Sequence, residues 1–293
     1  MNNITNLTDR LGYSDKISSH GKKPLRTKIV GGYDAYTDKC GVTRFGEVVF
    51  ETENMIVLGG SQFTLEKLFG VRSELDIQYL EDIYADAGFT PSTITDNNVY
   101  LPNATVCLFG VGVGGADESI TSVHDVKYYE RDMGTLGEWI PIRRVEGSLT
   151  VDEAAKYHFK RTVNIGDGEK TEYYLKKFEY EPTIKILWAN GEGGEDGTQV
   201  NSDVHTTPNS NETPIETFIE MTLKISKKDV REYFTDNMHI EQARINSIGL
   251  FSAVYDDGVE DYRKVKLFSK LNINNEMLSN SKDLTIVYRI YTS

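Results

Sequence analysis

The sequence predicts a mainly β protein, β-sandwich-like and antiparallel, with a small helical insertion; by count of elements an α+β assignment stays open. Three observations carry this expectation. Residues 245–293 read INSIGLFSAVY, DDGVED, YRKVKLFSKLNI, NNEMLSNSKD and LTIVYRIYTS. Three runs rich in Ile, Val, Leu, Phe and Tyr are cut by Asp/Gly and Asn/Ser clusters, the way strands and turns are written in sequence. The composition, with 17 Tyr and 12 Phe against 7 Pro, favours sheet over helix. Finally, the clearest helical periodicity is confined to one patch, about residues 63–88.

The elements follow in chain order. Residues 1–25 are polar and without periodicity up to Pro24, and are expected to form an extended N-terminal arm. Residues 26–293 are expected to form a single β-rich domain. From Leu25 to Gly60 the runs KIVGGY, VTRFGEVVFE and NMIVLGG alternate with turn residues, as strands do. SQFTLEKLFG places Phe63, Leu65, Leu68 and Phe69 on a short helix stopped by Gly70, a natural left-handed cap. In SELDIQYLEDIYADAG, Ser73 with Asp76 three positions on forms a start signal, because both side chains can accept from orphan N–H groups. Ile77, Leu80, Ile83 and Tyr84 then recur at helical spacing until Gly88.

TPSTITDNN, between Phe89 and Leu101, reads as loop. Thr105–Gly115, TVCLFGVGVGG, reads as a buried strand running into glycines, and WIPIRRVE as a strand pair. DEAAKYHFKR is consistent with a short helix or with the start of a strand. Gly166-Asp167-Gly168 marks a hairpin. Residues 190–214 hold almost no apolar side chain and cannot offset their ordering entropy by burial. They are expected to form a long exposed polar loop, or a segment ordered by a neighbour. IETFIEMTLKI alternates as a strand, and SKKDVREYF predicts a short helix with Ser226 as cap and Asp229 at its third position.

Charge and cysteine content narrow the function. The net charge is −13 in 293 residues, which argues against direct nucleic-acid binding, since phosphate contacts need clustered Lys and Arg. The basic clusters are Lys22-Lys23 with Arg26 and Lys28, Arg143-Arg144, and Lys227-Lys228. Each is expected on a solvated face; a basic arm docking on an acidic neighbour is the functional reading of the first. No run of 18 apolar residues and no apolar leader core occurs, so no membrane partner is expected and the chain is expected to be soluble and intracellular when made. Cys40 and Cys107 have no metal-ligand spacing and are expected to be buried free thiols in a reducing compartment; one disulfide between them is the alternative.

Residues with chemical potential are scattered. Gly110-x-Gly112-x-x-Gly115 has the spacing of a dinucleotide loop, but ADESITSVHDV is a poor crossover helix and Asp117 and Glu118 would repel phosphates. Strand ends packed closely against other backbone are the better reading of these glycines. Glu192, Glu195, Asp196 and Asp203 share one loop, and Asp256, Asp257, Glu260 and Asp261 crowd one turn. Calcium takes six to eight oxygens, yet neither group has the spacing of a known calcium loop, so solvated turns are expected. His20, His124, His158, His205 and His239 form no metal or catalytic motif, and no nucleophile elbow occurs. Trp139 and Trp188 are candidates for a sugar platform; their apolar neighbours favour core packing. No catalytic residue, cofactor or metal is assigned, and the chain is not expected to be an enzyme.

Ile248-Gly249-Leu250-Phe251, Lys266-Leu267-Phe268-Ser269-Lys270 and Leu284–Tyr291 resemble the ends of virion structural proteins from tailed bacteriophages, as does the stretch NMIVLGGSQFTLEKLFG at 54–70. The resemblance implies a short β-structure with an LF-x-[KR] strand beside the closing LTIxYxIY strand. It also implies a subunit repeated in a ring or lattice at the head–tail junction or neck, the tail or the capsid surface. The implied partners are copies of itself and other virion proteins, and the implied location is the virion, after synthesis in the host bacterial cytoplasm. The alternative is a carbohydrate- or receptor-binding β module of a tail fibre or adhesin. Within the closing strands, Asp256–Asp261 is expected to be a simple turn, and Lys266, Lys270 and Arg289 to line a solvated face.

Overall fold

The structure is a computed structural model. It describes residues 26–38, 41–52, 55–56, 58–69, 79–85, 104–115, 139–166, 168–189, 202–204, 213–238, 242–258 and 260–292. The arm at 1–25 lies outside these residues, as do Cys40, Gly70, the Ser73–Asp76 start signal, Gly88 and the loop at 89–101. The expected mainly antiparallel β class is borne out: among the described residues strands dominate, their pairings are mainly antiparallel, and the helices are short. The chain divides into two compact units, residues 1–53, 180–224 and 283–293, and residues 54–179 and 225–282.

The first unit holds a six-stranded sheet. Its strands are β1 (Arg26–Thr37), β2 (Thr43–Thr52), β9 (Thr183–Ala189), β10 (Ser202–Val204), β11 (Thr213–Ile225) and β14 (Leu284–Thr292), in the order β10-β9-β11-β14-β1-β2. Its apolar side chains explain the order. Ile29, Leu223, Ile286, Val287 and Tyr288 are almost fully buried, and they belong to the interior strands β1, β11 and β14. β2 at the rim exposes Arg44, Gly46, Glu47, Val48 and Glu51. The stretch 190–214 is not wholly loop. Ser202–Val204 pairs antiparallel with β9, and Thr213-Pro214 already belongs to β11. Ladder bonds are made by backbone groups, so a polar sequence can supply them without burying side chains.

The second unit is built on a larger sheet. It contains β3 (Met55–Ile56), β4 (Thr105–Gly112), β5 (Trp139–Ile140), β6 (Arg143–Glu146), β7 (Tyr157–Ile165), β8 (Gly168–Lys177), β12 (Arg244–Asp256) and β13 (Asp261–Met277). β3-β13-β12-β4-β8 form its body. Glu172 pairs with Arg144 of β6 and with Arg161 of β7, so those strands flank β8 on opposite sides. Ten consecutive residues of β12, Ile245 to Val254, are buried, as in a strand covered on both faces. Helix α1 (Leu58–Phe69) lays Phe63 edge-on against Phe268 of β13 at 5.7 Å, and α2 (Leu80–Ile83) sends Glu81 to the backbone of Val265. The remaining helices are α3 (Val151–Ala154) and α4 (Arg231–Met238).

Most elements match their expected places, with informative differences. The DEAAKYHFKR segment is both of its alternatives in turn. α3 is capped by Thr150, whose hydroxyl accepts from Glu153 N–H, and β7 begins at Tyr157. Gly166 lies at the hairpin between β7 and β8 with φ of +46°, a conformation that favours glycine. The LF-x-[KR] strand is not beside the closing strand. β13 pairs with β12 and β3, whereas β14 pairs with β1 and β11 in the other sheet. Of the segment NNEMLSNSKD, residues 274–277 extend β13 and only 278–283 connect to β14, and sequence pattern alone does not show which edge the next strand joins.

The glycines of the GxGxxG match serve packing. A Cβ on Gly110 would lie 2.9 Å from both Leu175 and Trp139, and one on Gly115 would overlap the backbone carbonyl of Asn246. Gly115 N–H donates to Asn246 Oδ1 at 2.6 Å, so the two backbones are held together. Gly115→Ala is therefore expected to destabilise by about 1–3 kcal/mol, read as a lower urea midpoint with unchanged slope.

Candidate functional site

Helix α4 and the strands under it carry a dense arrangement of charge. Its foundation is a buried pair, Lys176 on β8 with Asp229 at 3.1 Å, each almost inaccessible. Asp229 also accepts from Tyr157 Oη at 3.1 Å and from Ser226 N–H at 2.8 Å. Asp229 was expected at the third position of a helix opened by Ser226. It does bind the Ser226 backbone, but the helix starts later, at Arg231, because Val230 sits at φ of +71°. That angle is unfavourable for a β-branched residue and persists where surroundings over-determine it. Here Val230 is buried and its N–H donates to the Ile142 carbonyl.

Beyond that turn, α4 is clamped by ion pairs. Arg143 meets Glu232 at 3.1 Å, and Lys170 meets Asp236 at 2.7 Å. Arg144, expected on a solvated face, is buried; it pairs with Glu172 and lies 3.7 Å from Asp236, with its guanidinium over the Tyr233 ring. Glu172 is itself buried and accepts from Arg161 at 2.8 Å and Tyr174 Oη at 2.6 Å. Burial alone would raise its pKa, but the hydrogen bonds from Tyr174, Arg161 and Arg144 outweigh it and hold the carboxyl below its usual range. Tyr174 is pushed up by burial and by its bond to that carboxylate.

Between α4 and β6 lies an open cleft of about 650 Å³. Five cations line it: Arg144, Lys170, Arg231 and the exposed pair Lys227 and Lys228. Three carboxylates share the lining; Glu232 and Asp236 are engaged by the arginines and lysine just described, and Glu146 is exposed. Arg231 is fixed by the carbonyls of Lys227 and Ser279 and by the Asn280 amide. The cleft thus carries a cationic surplus on a rigid frame, within a chain of net charge −13.

No family model matches the chain, and neither a curated protein nor a solved structure shows significant similarity to it. Its function therefore rests on its own residues.

The remaining candidates have definite places. The Asp256–Asp261 turn joins β12 to β13, with Gly258 N–H donating to Asp256 Oδ1 at 2.9 Å. Asp261 is more than a turn residue: it meets His158 Nδ1 at 3.2 Å and Lys177 Nζ at 3.1 Å. Burial would raise its carboxyl, but His158, the Tyr262 N–H and Lys177 hold it well below the usual range. Asp203 lies on β10, whereas Glu192, Glu195, Asp196 and the other four histidines fall outside the described residues. Among the described residues no group of three or more His, Cys, Asp or Glu could hold a metal ion, and no helix is long and apolar enough to cross a membrane. Cys107 is a buried free thiol, pushed up to about 11 by burial. Trp139 packs among Tyr84, Tyr174, Phe159 and Phe251 at centroid distances of 4.8–6.4 Å, as a core residue does. The Trp188 backbone lies on β9, where it pairs with Asp203 and Pro214.

Two closing-strand cations depart from the expected solvated face. Arg289 is buried against Glu220 at 2.9 Å, and Lys270 is buried with its pKa pushed down to about 8 by desolvation. Lys266 is half-buried over the Tyr79 ring at 4.6 Å. No local signal distinguishes these from surface cations.

Removing one member of a buried pair strands the other. Glu172→Ala is expected to cost about 3 kcal/mol or more in urea unfolding, because Arg144 loses its principal counter-charge. Glu81 offers a pH test. Its carboxylate is buried, accepts from Val265 N–H at 3.1 Å, and is pushed up to about 7 by burial. The folded chain therefore holds this proton more tightly than the unfolded chain. The stabilisation is complete at acid pH and is lost as pH rises from about 4.5 to about 7, a span of roughly 3 kcal/mol. Glu81→Gln should flatten stability against pH in that window, measured by urea melts at stepped pH.

Proposed function

We propose that this chain is a structural protein of a tailed-phage particle, a subunit that assembles as a ring or lattice at the head–tail junction or neck, the tail or the capsid surface, and that its place is the virion. The resemblance of 245–291 and 54–70 to tailed-phage virion proteins motivates this reading. The structural observation that supports it is that both sheets end on long strands. β2, ten residues, pairs only with β1, and β7, nine residues, pairs only with β8, among the described residues. An edge strand presents a row of backbone donors and acceptors, which is a liability in an isolated molecule and a docking element in an assembly. Neither strand contains the proline that would blunt such an edge.

The partners on this reading are further copies of the chain and other virion proteins. The charged cleft fits the same role, since preorganised charge gives orientation and partner choice more than raw affinity. The purified chain is expected to populate a discrete oligomer in a concentration series followed by mass photometry, with rings or sheets visible in negative stain. A monomer at every concentration, with neither strand edge protected from hydrogen exchange when phage components are added, would overturn the proposal.

A further inference from the structure

We propose that the acidic β12–β13 hairpin tip of one copy, residues 256–261, docks into the cationic cleft beside α4 of the next copy. This rests on the reading of the chain as an assembling subunit and names the contact that would link its copies.

The two surfaces are opposite in charge and both are built. On the tip, Asp257 and Glu260 are exposed, and Asp256 shapes the turn through its bond to Gly258 N–H. Glu260 holds a positive φ of 54°, and Asp261 anchors the base of the tip to His158 and Lys177. On the cleft, the turn that carries Lys227 and Lys228 is fixed from within by the Ser226 N–H and Lys176 bonds to Asp229. Arg231 spans from that turn to Ser279 and Asn280. The bonds at Asp256, Asp261 and Asp229 hold these residues in place before contact, which lowers the entropic cost of association.

Their placement rules out closure within one unit. Lys176 holds the 226–230 turn of the cleft through Asp229, and Lys177, the next residue of β8, grips the tip through Asp261. Consecutive side chains of a strand project from opposite faces, so the turn that carries Lys227 and Lys228 and the acidic tip are tied to opposite faces of β8. The tip must therefore find another copy. A contact between two different patches is heterologous, and such contacts close into rings or run on as helical filaments.

The test is a charge exchange in the full chain, read by sedimentation velocity at low and physiological salt. Lys227→Glu with Lys228→Glu is expected to weaken self-association at least about tenfold, because like charges are brought together at contact. Asp257→Lys with Glu260→Lys should do the same, and the four substitutions together should restore association towards that of the unmodified chain. All four side chains are exposed, and thermal melts check the fold; if a reversal unfolds the chain, the neutral Lys227→Gln and Lys228→Gln pair should still weaken association with a smaller salt dependence. Association that persists unchanged in both reversed variants overturns the docking and leaves the assembling-subunit reading standing. Loss from the cleft reversal without loss from the tip reversal overturns it too, and points to an acidic surface of another protein. No association of the unmodified chain at any concentration overturns both proposals together.

Discussion

The Lys176–Asp229 pair is the interaction on which the charged face of the second unit depends. Each group is nearly inaccessible and is tolerable because it is paired, Lys176 with Asp229 and Glu179, Asp229 with Lys176 and the Tyr157 hydroxyl. Asp229 uses both oxygens: one for Tyr157, the other for Lys176 and the Ser226 N–H. A carboxylate tied at that many points fixes the turn 226–230 against β8, and with it the strained Val230 from which α4 departs. The direction of α4 then places Glu232 and Asp236 over Arg143, Arg144 and Lys170. The even spacing of Lys170, Glu172 and Lys176 puts all three on one face of β8. One strand face thus holds the whole helix by charge, and the cleft is the space that this clamp leaves open.

The first unit uses the same device within its sheet. Glu220 on β11 meets Arg289 of the adjacent β14 and Lys185 of the adjacent β9, each at 2.9 Å, and accepts from Thr43 Oγ1 at 2.8 Å. Burial would raise its carboxyl, but Lys185, Arg289 and Thr43 hold it below the usual range. Such a ladder adds little net stability against well-packed apolar residues, since desolvation consumes most of the Coulombic gain. Its effect is on register. A slip of one residue moves every side chain to the opposite face, so Glu220 would face no cation and the buried charges would stand alone.

The sequence made the strands legible and the partnerships not. β12, β13 and β14 could be read from residue type because a strand's signature is local: β-branched and aromatic runs between turn residues. The Gly166 hairpin was legible for the same reason, since a positive φ leaves its mark on the residue that adopts it. What stayed hidden is what depends on separation along the chain. Arg144 finds Glu172 across 28 residues and Arg289 finds Glu220 across 69, so both looked like surface cations. Asp229 was placed by its short-range partner, Ser226, while Lys176, 53 residues earlier, decides its burial. The Ser202–Val204 strand was hidden for a different reason: its pairing uses backbone groups, which composition does not report. The displacement of β14 from β13 belongs with these, because strand order is a long-range property.

The buried pairs also bear on what the exposed charge can do. A cation that already satisfies a buried carboxylate has little capacity to bind a passing anion strongly, whereas Lys228 is exposed on a turn that those pairs hold in place. The chain therefore separates two tasks: interior pairs set geometry, and exterior charges are left to select partners. The same separation recurs at Lys177, the residue of β8 next to Lys176. Asp261 is consumed by His158 and Lys177, while Asp257 and Glu260 project beyond it. On the proposed docking, a strand that fixes a cationic turn through Lys176 and an acidic tip through Lys177 would let identical copies meet head to tail. Because the net charge of −13 makes copies repel at distance, attraction of this kind acts only at contact and only in that orientation. On the proposed docking, that combination would disfavour indiscriminate aggregation through the edges of β2 and β7, which are unpaired among the described residues, while leaving an ordered approach available. The fold itself sets that order, through the strand that anchors both patches.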